Sequence, residues 1–119
     1  MPEAEIVDRE TLAALLDSLG GDVDFLRELV DAYLDSTPGL FAAMRQAAAA
    51  GDAASLQRAA HTLKTGSASM GALALAALCK GLEDMGKSGA LEDAEARIDA
   101  AAAAYDDVAA ALRDRVQAI

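Results

Sequence analysis

Aromatic and β-branched residues are scarce in this sequence, and both scarcities point to the same fold class. Phe, Tyr and Trp together make up 3% of the chain, and Trp is absent. Because strands are rich in aromatic and β-branched side chains, the sequence argues against a β-sheet. Hydrophobic residues reach 54% mainly through Ala, which is the best helix former. The composition therefore favours closely packed helices.

The sequence also contains few cationic residues, a single cysteine and no long apolar run. The chain has ten Lys and Arg and 20 Asp and Glu. The resulting net charge of −10 disfavours nucleic acid and anionic membrane surfaces as partners, but it does not exclude a local basic patch. The single cysteine, Cys79, cannot form an internal disulfide, and we expect it in the core with Leu75, Leu78 and Leu82. No segment is apolar enough to span a bilayer, and the acidic N-terminus does not resemble a signal peptide. We therefore expect a cytoplasmic protein.

Glycine and aspartate divide the chain, which we interpret as a single domain over residues 1–119, into helical segments. Pro38 lies inside the second segment, but the apolar positions keep one helical phase across it, which favours one kinked helix over two. Gly86 is expected to end the fourth helix. The predicted helices are 8–19, 22–50, 52–69, 72–85 and 91–118. Their lengths and short connections predict an all-α fold, an antiparallel up-and-down four-helix bundle with a short extra N-terminal helix.

The third predicted helix contains the only histidine, His61, and the helical period turns it away from the core. Taking the core face as zero, His61 lies about 140° away, Lys64 about 80° and Thr65 about 180°. That core face is predicted at Leu56, Ala60, Leu63, Ser67 and Met70. One and two turns along the strip of His61 are Thr65 and Ala68, which are small, so a flat partner surface could reach the ring.

These neighbours suit a histidine that carries a phosphoryl group. Neutral imidazole is a good nucleophile near neutral pH, and Lys64 is close enough to reach a phosphate on His61. Arg58 is a second, more lateral cation. Gln57, one turn back, could hydrogen-bond the inner ring nitrogen. Lys80 could flank the ring from the next helix if the hairpin turns near residue 71, but a solvated surface lysine is an equally good interpretation.

The stretch from Ala60 to Ala72 resembles the signature of histidine phosphotransfer (HPt) domains, the shuttle modules of multistep two-component phosphorelays. That signature is His, a variable residue, an apolar residue, Lys, small residues, an apolar residue and Gly. The positions that match it are His61, Leu63, Lys64, Ser67, Met70 and Gly71. Residues 51–61 and 78–83 also resemble the segments that flank the signature, so the resemblance covers most of the chain.

The resemblance implies a phosphoryl carrier that has no ATP site of its own. His61 would be the phosphorylated nucleophile, and Lys64 would stabilise the phosphate. The partners would be receiver domains of hybrid histidine kinases and response regulators, which would contact the surface of Gln57, Arg58, Thr65, Ala68 and Lys80. We expect no cofactor or metal on this chain, since the Mg²⁺ of the reaction would belong to the receiver.

A second hypothesis is a helical adaptor of the same fold that binds a receiver and is not phosphorylated. The presence of both His61 and Lys64 on an open face favours the carrier, because an adaptor would need neither. An autokinase would require an ATP-binding domain supplied by another protein. Nothing suggests a large obligate interface, so we expect a monomer, and Met1 and the ordinary length favour a free-standing protein.

Overall fold

The computed structural model describes residues 5–119, which form five α-helices and contain no strand. The helices are α1 (Arg9–Ser18), α2 (Val23–Ala50), α3 (Ala53–Ser69), α4 (Leu73–Ser88) and α5 (Ala94–Gln117). From α2 to α5 each helix packs on the next in chain order, and α5 packs back on α2. Short connections make consecutive helices antiparallel. The predicted bundle with an extra N-terminal helix is confirmed.

The segment before α1 lies directly on the turn between α3 and α4. The backbone N–H of Asp8 donates to the carbonyl of Gly71 at 2.7 Å. Gly71 has φ +82°, and a Cβ there would lie 2.8 Å from the carbonyl oxygen of Asp8. Only glycine tolerates both this backbone conformation and this approach. The signature glycine therefore has a packing role at one end of the bundle.

Helix α2 continues through Pro38, as the single phase of its apolar positions predicts. Proline has no N–H to donate to the carbonyl four residues earlier, which belongs to Leu34. The hydroxyl of Tyr105, on α5, donates to that carbonyl at 3.2 Å. A side chain from the neighbouring helix thus replaces the missing backbone hydrogen bond, and this contact helps α2 to tolerate its internal proline.

The prediction for the end of the fourth helix is wrong. Gly86 is buried inside α4, and the helix ends at Gly89, whose φ of +78° is the left-handed conformation typical of a helix end. A Cβ on Gly86 would lie 2.7 Å from the backbone nitrogen of Gln57 and 2.8 Å from the carbonyl oxygen of Ala53. Gly86 is therefore required for the close approach of α4 to α3. Helix α5 also begins later than predicted, at Ala94 rather than at Leu91.

The core is formed by the inner faces of the four long helices. The predicted core face of α3 is buried throughout, at Leu56, Ala60, Leu63, Ser67 and Met70. Cys79 is fully buried as expected, and burial raises the pKa of its thiol to about 12. The prediction that Leu78 lies on the core side is wrong, because Leu78 is 39% exposed at the edge of the buried stripe of α4. Within residues 5–119 no helix has the length and apolar character needed to cross a bilayer.

Candidate functional site

His61 lies near the middle of α3 with its side chain 59% exposed, which confirms the prediction of an outward-facing histidine. Thr65, one turn on, is also exposed, and its hydroxyl donates to the carbonyl of His61 at 3.0 Å. Ala68 on the same strip is half-buried and small. The surface on this side of the ring is consequently low and open to a partner.

A buried carboxylate from α4 holds the inner side of the ring. Nδ1 of His61 lies 2.7 Å from Oε2 of Glu83, and Nζ of Lys64 donates to Oε1 of the same carboxylate at 2.6 Å. The side chain of Glu83 is 5% exposed, and it is the only buried charged side chain among residues 5–119. Glu83 therefore links the two residues that the sequence marks out as chemically important.

The contacts of Glu83 keep it ionised. Together these contacts lower the pKa of the Glu83 carboxyl from 4.5 to about 2, and the hydrogen bond from Lys64 is the largest influence. Burial acts in the opposite direction, and the hydrogen bond from His61 also lowers the pKa. An ionised carboxylate can only accept hydrogen bonds, so Nδ1 of His61 must carry the proton that it donates. In the neutral ring the lone pair then belongs to Nε2, on the exposed side.

Gln57 does not make the hydrogen bond considered for it in the sequence analysis, since the inner ring nitrogen is bonded to Glu83. Gln57 instead packs with its backbone nitrogen and Cβ against Gly86. This backbone contact lies about one turn from the bond between Glu83 and His61, and it brings the carboxylate within reach of the ring. For the partner of the inner ring nitrogen the sequence analysis considered only a side chain of the same helix, so it overlooked a carboxylate from the opposite one.

Lys80 lies farther from the ring than the sequence suggested. His61 faces Glu83 across the helix pair, which places residue 80 level with Lys64 rather than with the histidine. Lys80 is exposed, and its ammonium group donates to Asp84 at 3.0 Å. Its spacing of three residues from Glu83 and seven from Lys87 places it on the same face of α4 as those two residues.

A shallow depression beside His61 brings together two further cations, Arg58 and Lys87, with Gln57, Thr62 and Glu83. Arg58 donates to the hydroxyl of Ser55 at 3.0 Å. In the described part of the chain, neither Arg58 nor Lys87 has a carboxylate within the 4.0 Å of an ion pair.

Sequence reasoning missed Glu83 and Lys87 as members of the site. Their spacing of four residues puts them on one face of α4, which is the signal that could have paired them. Recognising that this face meets His61 requires the register between α3 and α4. Over residues 5–119 no group of three or more His, Cys, Asp or Glu is arranged to hold a metal ion.

Comparisons with known proteins show the family and the fold of this chain. The family model described as Hpt domain matches residues 28–119. The crystal structure of histidine-containing phosphotransfer protein B (HptB) from Pseudomonas aeruginosa PAO1 is similar to this chain, with a TM-score of 0.88 and 30% sequence identity over 98% of this chain and 99% of that chain. No curated protein sequence matches. Both matches include α3 and α4, the helices that form the site.

Proposed function

Since the chain belongs to the Hpt domain family, whose members are phosphoryl carriers of phosphorelays rather than kinases, we propose that His61 is its phosphorylated residue. It would accept the phosphoryl group from the aspartyl phosphate of one receiver domain and pass it to another. Receivers of hybrid histidine kinases and of response regulators are the expected partners, in the cytoplasm. Any Mg²⁺ would be held by the receiver.

The observation that supports this proposal most is the pairing of His61 with ionised Glu83. The carboxylate accepts a hydrogen bond from Nδ1, so the exposed Nε2 is left with the lone pair. A nucleophile must present its lone pair to the partner, and a histidine held in the other tautomer would present an N–H instead. The proposal therefore assigns the attack to Nε2.

The transfer step follows from this tautomer. Nε2 attacks phosphorus while the bond from phosphorus to the receiver's aspartate oxygen breaks, and the electron pair of that bond leaves with the aspartate carboxylate. The ring becomes an N-phosphorylated imidazolium with its proton still on Nδ1. Glu83, 2.7 Å from Nδ1, would stabilise the positive charge that develops on the ring. The reverse sequence would deliver the group to a second receiver.

Lys64 has two candidate roles in this scheme. At rest it is bonded to Glu83, so it helps to keep that carboxylate ionised. Its side chain is still 27% exposed, and its ammonium group could turn towards a phosphoryl group on His61. A charge-assisted contact is typically worth about 1.5–3 kcal/mol. Loss of such a contact would slow the transfer roughly ten- to hundred-fold.

The test is a phosphotransfer assay with receiver domains labelled on their phosphorylated aspartate. Wild-type protein should take up acid-labile label, and His61→Gln should take up none while remaining helical by circular dichroism. Glu83→Gln, which keeps the shape but removes the charge, should transfer slowly, as should Lys64→Ala. Arg113→Ala removes a cation from α5 and is the matched control, which should transfer at the wild-type rate.

The same assay separates a carrier from an adaptor. An adaptor would bind the receiver and take up no label, whether or not His61 is present. Label that persists on folded His61→Gln would rule out His61 as the phosphorylated residue, because the chain has no other histidine. Full activity of Lys64→Ala would leave the role of His61 intact and reduce the lysine to a surface charge.

A further inference from the structure

The charges of this protein are unevenly divided between the two sides of the bundle. Residues 53–88, which form the α3–α4 hairpin, contain four of the ten Lys and Arg and only two of the 20 Asp and Glu. The hairpin thus carries a net charge of +2 within a chain of −10, and the remaining residues carry −12. All three lysines of the chain lie on the hairpin, and α3 contains no carboxylate.

Each of the two carboxylates of the hairpin is paired with a lysine, Glu83 with Lys64 and Asp84 with Lys80. The net charge of +2 therefore corresponds to the two remaining cations, Arg58 and Lys87. Arg58 and Lys87 line the depression beside His61, and neither is within ion-pair distance of a carboxylate in the part of the chain that the structure describes. They are the cations best placed to meet negative charge on a partner.

The opposite side of the bundle has the reverse character. Helices α2 and α5 pack on each other and carry nine Asp and Glu, all exposed, against five Arg. A protein with this arrangement presents a positive face around the histidine and a negative face behind it. An acidic partner is attracted to the first and repelled by the second, so long-range forces orient it before contact.

We propose that the outward surface of Arg58, His61, Thr65, Lys80 and Lys87, here called the α3–α4 face, selects receiver domains whose docking surface is acidic. Arg58 and Lys87 are the specificity-determining residues, because they flank the histidine and have no ion-pair partner among residues 5–119. The inference rests on the proposed function and adds to it the chemical class of the partner. Receivers with a basic rim around the phosphorylation site are disfavoured by the same charges.

Charge reversal of the two cations tests the inference. Arg58→Glu/Lys87→Glu should lower kcat/KM for transfer from a receiver with an acidic rim by about tenfold or more at about 10 mM salt. At about 1 M salt, where the screening length falls from about 30 Å to about 3 Å, the double variant should return to within about twofold of wild type. A loss of the same size at both salt concentrations would point to lost packing and overturn the inference.

Two matched variants separate local charge from net charge and from shape. Arg45→Glu/Arg113→Glu changes the net charge by the same amount on α2 and α5, and its kcat/KM should stay within about twofold of wild type. Arg58→Lys/Lys87→Arg keeps both charges and should keep most of the rate and its salt dependence. An equal loss in the α2–α5 double variant would refute a role for the α3–α4 face.

A second receiver with a basic rim completes the experiment. Wild-type protein should favour the acidic receiver at low salt, and a preference for the basic one would contradict the inference. If no receiver labels wild type, the carrier function fails, and titration of the unphosphorylated acidic receiver then tests the surface alone. Binding that is weakened by Arg58→Glu/Lys87→Glu and not by the control supports the surface, whereas undetectable or unchanged binding overturns it.

Discussion

Replacement of Gly86 by Ala tests whether the contact between α3 and α4 controls the geometry of His61. A Cβ at this position would lie 2.7 Å from the backbone nitrogen of Gln57, whereas ordinary contact begins at 3.4 Å. The helices would have to separate locally by about 0.7 Å. If that movement reached the neighbouring turn, the bond of 2.7 Å between His61 and Glu83 would lengthen to about 3.4 Å, beyond the range of a good N–H···O bond.

The expected loss of stability follows from two opposing effects. Overpacking typically costs about 1–3 kcal/mol, and the cost should be high here because the atoms in the way belong mostly to backbone that cannot rotate aside. Ala stabilises a helix interior by about 1 kcal/mol relative to Gly. We therefore expect Gly86→Ala to lose about 1–2 kcal/mol of unfolding free energy, which is a fall in Tm of roughly 3–10 °C.

Gly39→Ala is the matched control, because Gly39 also lies inside a helix but a Cβ there would meet nothing within 4 Å. It should gain about 0.5–1 kcal/mol from helix propensity alone. Thermal melts followed by circular dichroism measure both variants, and phosphotransfer assays should show slower transfer only for Gly86→Ala. The reasoning is refuted if Gly86→Ala melts at or above the wild-type temperature and transfers at the wild-type rate.

Three further predictions concern single side chains. Thr65→Trp should block transfer from a receiver with an unchanged Tm, because Thr65 is exposed on the proposed docking surface, and unimpaired transfer would move that surface elsewhere. The folded-state pKa of Glu83 is about 2, below the ordinary 4.5, so its stabilising contribution is complete above about pH 4.5 and is lost towards pH 2. The urea midpoints of wild type and Glu83→Gln should converge over that interval, and a constant difference would contradict the assignment. The Cys79 thiol, buried and with a pKa raised to about 12, should react with iodoacetamide at pH 8 only after unfolding, and rapid labelling of folded protein would disagree with the structure.

The features that depend only on the geometry of a single helix could be predicted from the amino-acid sequence. The helical period alone assigned the buried face of α3 and the outward direction of His61, because side-chain direction repeats every 3.6 residues whatever surrounds the helix. The same period predicted that α2 continues through Pro38 as one helix, as the structure shows. The residues from His61 to Gly71 were sufficient to indicate the family, since that signature is contiguous in the chain.

The contacts between helices could not be read in this way. Gly86 looks like a helix terminator in isolation, and its role depends on the α3 backbone within 2.8 Å of its missing Cβ. The hydroxyl of Tyr105 reaches the carbonyl left free by Pro38 only because α5 packs on α2.

The hydrogen-bond partner of His61 is another contact between helices that the sequence alone could not predict. Glu83 is 22 residues away from His61 in the chain, and Gln57, one turn away, was the partner suggested by the sequence. Only the register between two packed helices decides which carboxylate meets the ring, and a change in that register would give Nδ1 a different neighbour. The amino-acid order therefore indicated which residue is the proposed nucleophile. The tertiary structure decided which of its nitrogens is free, because the acceptor that holds the other nitrogen comes from a different helix.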